Sequence, residues 1–370
     1  MGADGRGRGH DRGRVAASEV TVRAILLLSL SACTGEPYVL DTGDPVDTGV
    51  PECGRIRGTE AIVMYQEGGD ATRTPLETAA TPISATGVAG PLGDDRTYVT
   101  VVDGRAAQSV DGGCNWDDVG TLPESEWSLV GAGARVYAFD RASASMSRSD
   151  DLGLSWDALD SGEVFIGLPS VDPANAEHLR GLQARGVVDS TDGGTTWTAG
   201  AALPAELSAP TSGAVYAAAL DTAVVGGSSG GWRTTDAGNS WTPILTDAVV
   251  ALAIHPDDPL SLFSHTVDGG GVRTLSRSTD GGGAWARQVD SSQIELTDAS
   301  VLWPVPGNPA QALSTAGPVY NENTASDGLN LYILTAGEGT ATRFVGGWYH
   351  IHQITFGADR WVAAVDAVNP

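Results

Sequence analysis

Lysine is missing from the 370 residues, and all 21 basic residues are arginine. That omission excludes Schiff-base and pyridoxal chemistry, the G-x-x-x-x-G-K-[ST] phosphate loop and the S-x-x-K acyl-transfer site, each of which needs the amine. Positive charge is scarce as a whole: 46 acidic residues outweigh the arginines and leave a formal charge of −25. Phosphate binding needs a basic footprint, so nucleic acid is excluded as a partner. Long apolar runs are lacking too. The single strong one, AILLLSLSAC at 24–33, is too short to span a bilayer. No segment beyond it shows a helical period. What the chain has instead is 49 glycines and 19 prolines, hence many turns, and 41% apolar residues, enough for a core.

The apolar run has the length of a signal-peptide core, follows Arg23 and ends in Leu30, Ser31, Ala32 and Cys33. This ending resembles the lipoprotein box of bacterial lipoproteins. The resemblance implies cleavage after residue 32, with Cys33 lipidated on sulfur as the new first residue. The Arg-rich stretch before Arg23 fits an upstream start codon, with synthesis beginning near Val20 or Val22. Residues 33–53, acidic and rich in Thr, Gly and Pro, read as a flexible tether. The expected address is the bacterial cell envelope, with the lipid as the only membrane contact. Two DTG triplets, at Asp41 and Asp47, match the catalytic triplet of aspartic proteases, but both fall in the tether, where no folded lobes hold the carboxylates together. Cys53 and Cys114 are then the remaining cysteines. Export allows them to pair, for roughly 4 kcal/mol in the chain-entropy description, and two unpaired thiols are the alternative.

Beyond the tether an eight-residue motif recurs. SVDGGCNW (109–116), SDDLGLSW (149–156), STDGGTTW (190–197), TTDAGNSW (234–241) and STDGGGAW (278–285) each place Gly two residues and Trp five residues after an Asp. The aspartates are Asp111, Asp151, Asp192, Asp236 and Asp280, at steps of 40, 41, 44 and 44; the tryptophans are Trp116, Trp156, Trp197, Trp241 and Trp285. An Asp carboxylate accepts backbone N–H groups across a tight turn, Gly supplies positive φ, and a Trp buries a large apolar surface. The motif therefore reads as a structural peg, with the Trp packed between neighbouring repeats. Between copies lie short β-prone runs such as RTYVTVVDG and VVALAIHPDDP, closed by Gly, Pro or Asp.

The motif resembles the Asp-box, or bacterial neuraminidase repeat, of sialidases, two-propeller endoglucanases, sortilin-type receptors and photosystem II assembly factors. The resemblance covers residues 54–370 and implies an all-β chain in which each box turns between the two outer strands of a four-stranded propeller blade. Two degenerate boxes extend the register: Asp70, with Pro75 at the Trp position, and Asp327, with Tyr332 there. Repeats of about 42 residues over this length make a single seven-bladed β-propeller. One strand before the first box and two in the tail are left over, so the N- and C-terminal strands are expected to share one blade.

No residue pattern outside the boxes carries catalysis. GGSSG at 226–230 fits G-x-S-x-G with Ser228 as nucleophile, but a strand-like GWRTT follows where that motif needs a helix. His350 and His352 share a strand face without visible further ligands, so no metal site is expected. The acidic pairs Asp94–Asp95, Asp117–Asp118 and Asp257–Asp258 read as solvent-facing turns. A sialidase would need an arginine triad; GRIRG keeps Arg55–Ile56 without the flanking aromatic and Pro, and no motif singles out Arg73, Arg135, Arg180 or Arg273. The expectation is a monomeric, cofactor-free binding scaffold for a protein or glycan ligand. A sialidase-like glycoside hydrolase and an envelope assembly factor resembling the photosystem II factors are the alternatives.

Overall fold

Alternating small and β-branched residues, broken every few positions by Gly, Pro or Asp, leave no stretch long enough for a helix and many of strand length. The computed structural model describes residues 62–66, 72–74, 85–294, 296–297, 301–316, 329–335, 341–348, 351–357 and 360–365. All lie in the second of the two units into which the chain divides, Val50–Pro370. Among the described residues there are strands and no helix.

The strands form four-stranded antiparallel sheets in chain order. After β1 (Ile62–Gln66) and β2 (Thr72–Thr74), the first complete sheet holds β3 (Ala85–Ala89), β4 (Tyr98–Val102), β5 (Arg105–Ser109) and β6 (Asp117–Thr121). The second holds β7 (Trp127–Ala132), β8 (Arg135–Asp140), β9 (Ser145–Ser149) and β10 (Asp157–Asp160). The third holds β11 (Ser170–Asp172), β12 (Asn175–Gln183), β13 (Gly186–Ser190) and β14 (Thr198–Ala199). In the fourth are β15 (Pro210–Val215), β16 (Ala223–Gly227), β17 (Gly230–Thr234) and β18 (Thr242–Leu245). The fifth contains β19 (Ala248–His255), β20 (Asp258–Val267), β21 (Arg273–Ser278) and β22 (Ala286–Asp290). The sixth contains β23 (Leu302–Pro304), β24 (Gln311–Ala316), β25 (Leu329–Thr335) and β26 (Ala341–Trp348). The last joins β27 (Ile351–Phe356) and β28 (Arg360–Val365) to β1 and β2, in the order β2-β1-β28-β27. Its central ladder pairs Ile62 with Ala364, Met64 with Val362 and Gln66 with Arg360.

Buried clusters join each sheet to the next. Val99, Val101 and Ala106 of the first sheet meet Trp127, Leu129 and Val136 of the second. Tyr137, Phe139 and Met146 then meet Val171 and Leu179 of the third, and Leu182 and Val187 meet Val215, Val225 and Trp232 of the fourth. Val224 packs on Val249, Leu252 and Leu262 of the fifth, and Phe263 and Leu275 pack on Leu302 and Ala312 of the sixth. Leu313 meets Ile351, Ile354 and Trp361. Val362 and Ala364 face the other way, onto Ala85, Val88 and Tyr98 of the first sheet. The alternation of β28 is thus spent on two neighbours, as period-two side chains in a stacked sheet require.

One expectation fails in register. All five complete boxes lie between the third and fourth strands of their sheets, whereas residues 317–328, which include Asp327, connect the second and third strands of the sixth sheet. Tyr332 is inside β25, opposite Ser314 and Arg343, instead of leading into a fourth strand. The Asp–Tyr spacing matches the motif, but a long connection before β25 displaces it by one strand. Asp70 lies in the link between β1 and β2, the third and fourth strands of the last sheet; it and Asp327 fall outside the described residues.

Candidate functional site

The five box turns are nearly superposable in their bonds. The Ser or Thr that ends the third strand donates its hydroxyl to Oδ1 of the box Asp at 2.7–2.9 Å: Ser109 to Asp111, Ser149 to Asp151, Ser190 to Asp192, Thr234 to Asp236 and Ser278 to Asp280. The same hydroxyl oxygen accepts the N–H of the box Gly (113, 153, 194, 238 and 282) at 2.7–2.9 Å. Oδ1 also accepts the N–H four residues on, at 2.9 Å in each turn. In four turns the side chain of that residue (Asn115, Ser155, Thr196, Ser240) donates to Oδ2 at 2.6 Å; Ala284 has nothing to donate. The residue after each Asp sends its N–H to the link between the sheet's first two strands or to the start of the second, for example Gly112 to Arg96 at 2.8 Å and Gly193 to Glu177 at 2.9 Å. The N–H groups one, two and four residues after the Asp thereby find an acceptor in all five turns.

These bonds hold the carboxyls below the usual carboxylate range. For Asp192 the Thr196 hydroxyl and N–H lead, for Asp236 those of Ser240, and for Asp280 the Ala284 N–H. At Asp111 and Asp151 burial pushes upward, and the bonds from Asn115 and Ser155 more than offset it. A carboxylate that accepts at least two donors in every turn, and three or more in four of them, is a brace with its proton affinity lowered; it is unsuited to act as a general acid near neutral pH.

Two residues per box carry the packing. The box Gly has φ between 81° and 100° in all five turns. A Cβ there would also strike the preceding sheet: 2.6 Å from Met146 at Gly194, from Val187 at Gly238 and from Ile244 at Gly282. The Trp side chains join the clusters between sheets as well: Trp116 shares one with Val362 and Ala364, and Trp156, Trp241 and Trp285 pack against the edges of the clusters that hold Val99 and Val101, Leu182 and Val187, and Val224 and Val249. Trp116 is buried, but the other four are only half-buried, so full burial between repeats holds for one of five. Trp241 and Trp285 donate Nε1–H to Ala202 and Ile244 carbonyls of the sheet before, at 3.0 and 2.8 Å, whereas Trp116 and Trp156 donate within their own turns at 2.9 Å. Trp197 meets Phe165 edge-on, ring centroids 5.0 Å apart.

Other polar side chains link sheets at places the motif does not mark. Gln353 of β27 accepts Leu129 N–H at 2.9 Å and donates to Leu129 O at 2.5 Å, spanning from the last sheet to the second. Thr355 donates to Gly90 O. Arg141, in the link after β8, donates to His352 O at 2.8 Å, Thr86 O at 3.1 Å and Ser128 Oγ at 2.6 Å. Gln353 and Thr355 also line a cavity of about 250 Å³ with Val88, Leu129, Ser170 and Val171. No local sequence signal marks these residues, because their partners, Ser128 aside, lie more than 200 positions away or on other sheets.

The remaining candidates resolve into structural roles. Ser228 and Ser229 turn the hairpin between β16 and β17 and donate to Ser208 O and Glu206 O. Among the described residues no group of His, Cys, Asp and Glu is arranged to hold a metal ion; His350 is outside them. Arg135 pairs with Asp150, and Arg180 with Asp189 and Asp221, so these two guanidinium groups are committed to separate sites. Of the acidic pairs, Asp94–Asp95 and Asp257 are exposed at turns, whereas Asp117 and Asp118 open the edge strand β6 and Asp258 opens β20 half-buried, so the turn reading fails for these three. Asp94 accepts Thr97 N–H at 2.7 Å, Asp118 pairs with Arg105 at 2.7 Å and Asp257 accepts Gly307 N–H at 2.5 Å. Cys114 is disulfide-bonded. Cys33 and Cys53, the other cysteines, lie outside the described residues, as do Arg55 and Asp41 and Asp47.

Successive four-stranded antiparallel sheets, each packed face-on against the next, are the architecture of a β-propeller. No family model and no curated protein matches the chain. Solved structures do. YCF48 from Cyanidioschyzon merolae is 16% identical with a TM-score of 0.57, over 83% of this chain and 97% of that one. The GH74 xyloglucanase from Xanthomonas campestris is 15% identical with a TM-score of 0.52, over 70% of this chain and 47% of the enzyme. An ancestral GH74 enzyme is 14% identical with a TM-score of 0.50, over 78% and 45%. At these identities the likeness is one of fold, and the chain spans about half the length of the GH74 enzymes it matches.

Proposed function

We propose that this chain is an exported, lipid-anchored, single seven-bladed β-propeller that serves as a non-enzymatic binding scaffold at the bacterial cell envelope. In this reading the sheet of β1, β2, β27 and β28 is the blade that closes the ring, the five turns are Asp-boxes, Cys33 carries the lipid and Cys53 is the partner of Cys114. The observation that carries the scaffold reading is where the polar chemistry goes. Box carboxylates brace turns, and Arg135, Arg148 and Arg180 tie strands and sheets together. A pre-formed loop surface then remains for a partner at low ordering cost. The ligand is a protein or a glycan.

The test is a glycan array probed with the purified protein, reading both retention and shortened chains. Retention without cleavage supports a lectin-like scaffold, shortened chains replace it with the hydrolase reading, and neither signal directs the search to protein clients. The assembly-factor alternative draws on extent: the chain matches almost all of YCF48 but about half of each GH74 enzyme. Co-purification of an unassembled membrane complex supports that alternative.

A further inference from the structure

The residue before the hydroxyl that opens each box is an arginine in three repeats: Arg148 in β9, Arg233 in β17 and Arg277 in β21. Strand register makes the three comparable. Arg148 stands opposite Asp157 on the fourth strand of its sheet, Arg233 opposite Thr242 and Arg277 opposite Ala286. Two residues further along the chain stand Asp150, Thr235 and Thr279 in turn. Arg148 uses both of its carboxylates, at 3.5 Å to Asp150 and 3.6 Å to Asp157, and donates to Gly193 O of the next box at 3.1 Å. Arg277 has substitutes: it lies over the Phe263 ring, 6.0 Å from the centroid, donates to Ser261 Oγ at 3.3 Å and feels the charge of Asp258. Among the described residues Arg233 has neither. Threonines occupy both carboxylate positions, Nη2 reaches a single carbonyl, Pro259 O, at 3.4 Å, and Nε is shielded from solvent without an acceptor. Burial lowers the pKa of this guanidinium, and no carboxylate offsets it. A charge withdrawn from water and left unpaired costs free energy, a cost that proteins keep where function needs it.

Arg233 faces a cavity of about 260 Å³ between the fourth and fifth sheets. One wall carries Thr235, Ser240 and Thr242; the other is the fifth box from Asp280 to Gly283. The volume is below the roughly 300–1,000 Å³ of pockets that enclose a drug-sized molecule, so it suits one group of a larger ligand. Asp280 limits the charge of that group. Its Oδ1 is held by Ser278 and the Ala284 N–H and it makes no ion pair with Arg233, so a dianion would meet its repulsion. A carboxylate carries one charge and matches the planar guanidinium fork. The three hydroxyls around it are the kind of partner that a saccharide's own hydroxyls bond, and the glycines opposite put no side chain in the way of a ring. We propose that this cavity is an acidic-saccharide site in which Arg233 takes a uronate-type carboxylate, standing where Asp150 and Asp157 stand in the second sheet.

The site deepens the glycan side of the scaffold reading and rests on it. Thermal melts of the full-length protein, with and without glucuronate, test it. Without ligand, Arg233→Met should raise the melting temperature by removing an unpaired charge, and Arg148→Met should lower it by stranding Asp150 and Asp157. Glucuronate should raise the melting temperature of the unaltered protein, glucose should not, and calorimetry should show glucuronate binding at least tenfold weaker in Arg233→Met. A lower melting temperature for Arg233→Met overturns the site, since the guanidinium is then structural. No response to glucuronate, or an equal response in the variant, overturns it as well. Binding of N-acetylglutamate through Arg233 in place of glucuronate overturns the saccharide assignment in favour of a peptide. Neutral glycans retained on the array without a glucuronate response remove this site and leave the scaffold reading intact. Shortened glycans remove the scaffold reading, and the site then stands or falls on the Arg233→Met comparison alone.

Discussion

At the scale of residues, the two positions after each box Asp answer to different constraints. The first takes a left-handed conformation in every turn, yet is Leu152 in one and Ala237 in another, with φ of 60° and 58°. Side chains tolerate that region at a cost of about 1 kcal/mol. The second, with φ above 80° and the preceding sheet in the path of a Cβ, accepts only Gly. Gly282→Ala should therefore lower stability by roughly 2–4 kcal/mol, combining backbone strain with overpacking against Ile244 Cβ. Ala237→Gly should be within about 1 kcal/mol of neutral. Urea unfolding of the two variants checks the pair, and equal losses would remove the distinction. The tryptophans grade similarly: Trp116→Ala should cost roughly 3–5 kcal/mol through a cavity, and the half-buried Trp241→Ala measurably less, in the same experiment.

At the scale of the element, the box is a turn stabilised by a charged carboxylate, and that sets an acid limit. The folded-state affinities of Asp111, Asp151, Asp192, Asp236 and Asp280 for protons lie below the ordinary carboxylate value of 3.8. The unfolded chain then binds more protons in the interval between, so stability rises with pH there. The contribution is fully present above the ordinary carboxylate range and is lost as pH falls through the lowered folded values. Thermal melts should thus vary little on this account from neutrality to about pH 5 and fall steeply below about pH 4; Asp192→Asn should flatten that fall by its share. The turn was legible in the sequence because the partners of its carboxylate lie within four residues of the Asp. The sixth sheet was not: an Asp and a Tyr at the right spacing, Asp327 and Tyr332, fall on the wrong strand, since spacing alone does not count the strands before it. Gln353 and Arg141 were invisible for the complementary reason, their partners being set by the meeting of distant sheets.

At the scale of the whole molecule, alternation, turn residues and a 40–44 residue period were enough to read an all-β repeat, and the four-stranded sheets came from the resemblance of the motif to the Asp-box. The ligand was not legible, because binding through loops uses residues that no repeat constrains. Cohesion at the seam gives a further test. Gln353→Leu removes the partner of both Leu129 backbone groups and should cost roughly 2–4 kcal/mol, seen as a lower melting temperature; an unchanged melt would show the clasp to be dispensable. Cys33→Ser should release the protein from membranes, with fractionation as the readout. The seam also has a mechanical side. A pull applied upstream of residue 62 reaches the β1–β28 ladder before any other part of the fold, and loads its five residue pairs along the strand direction.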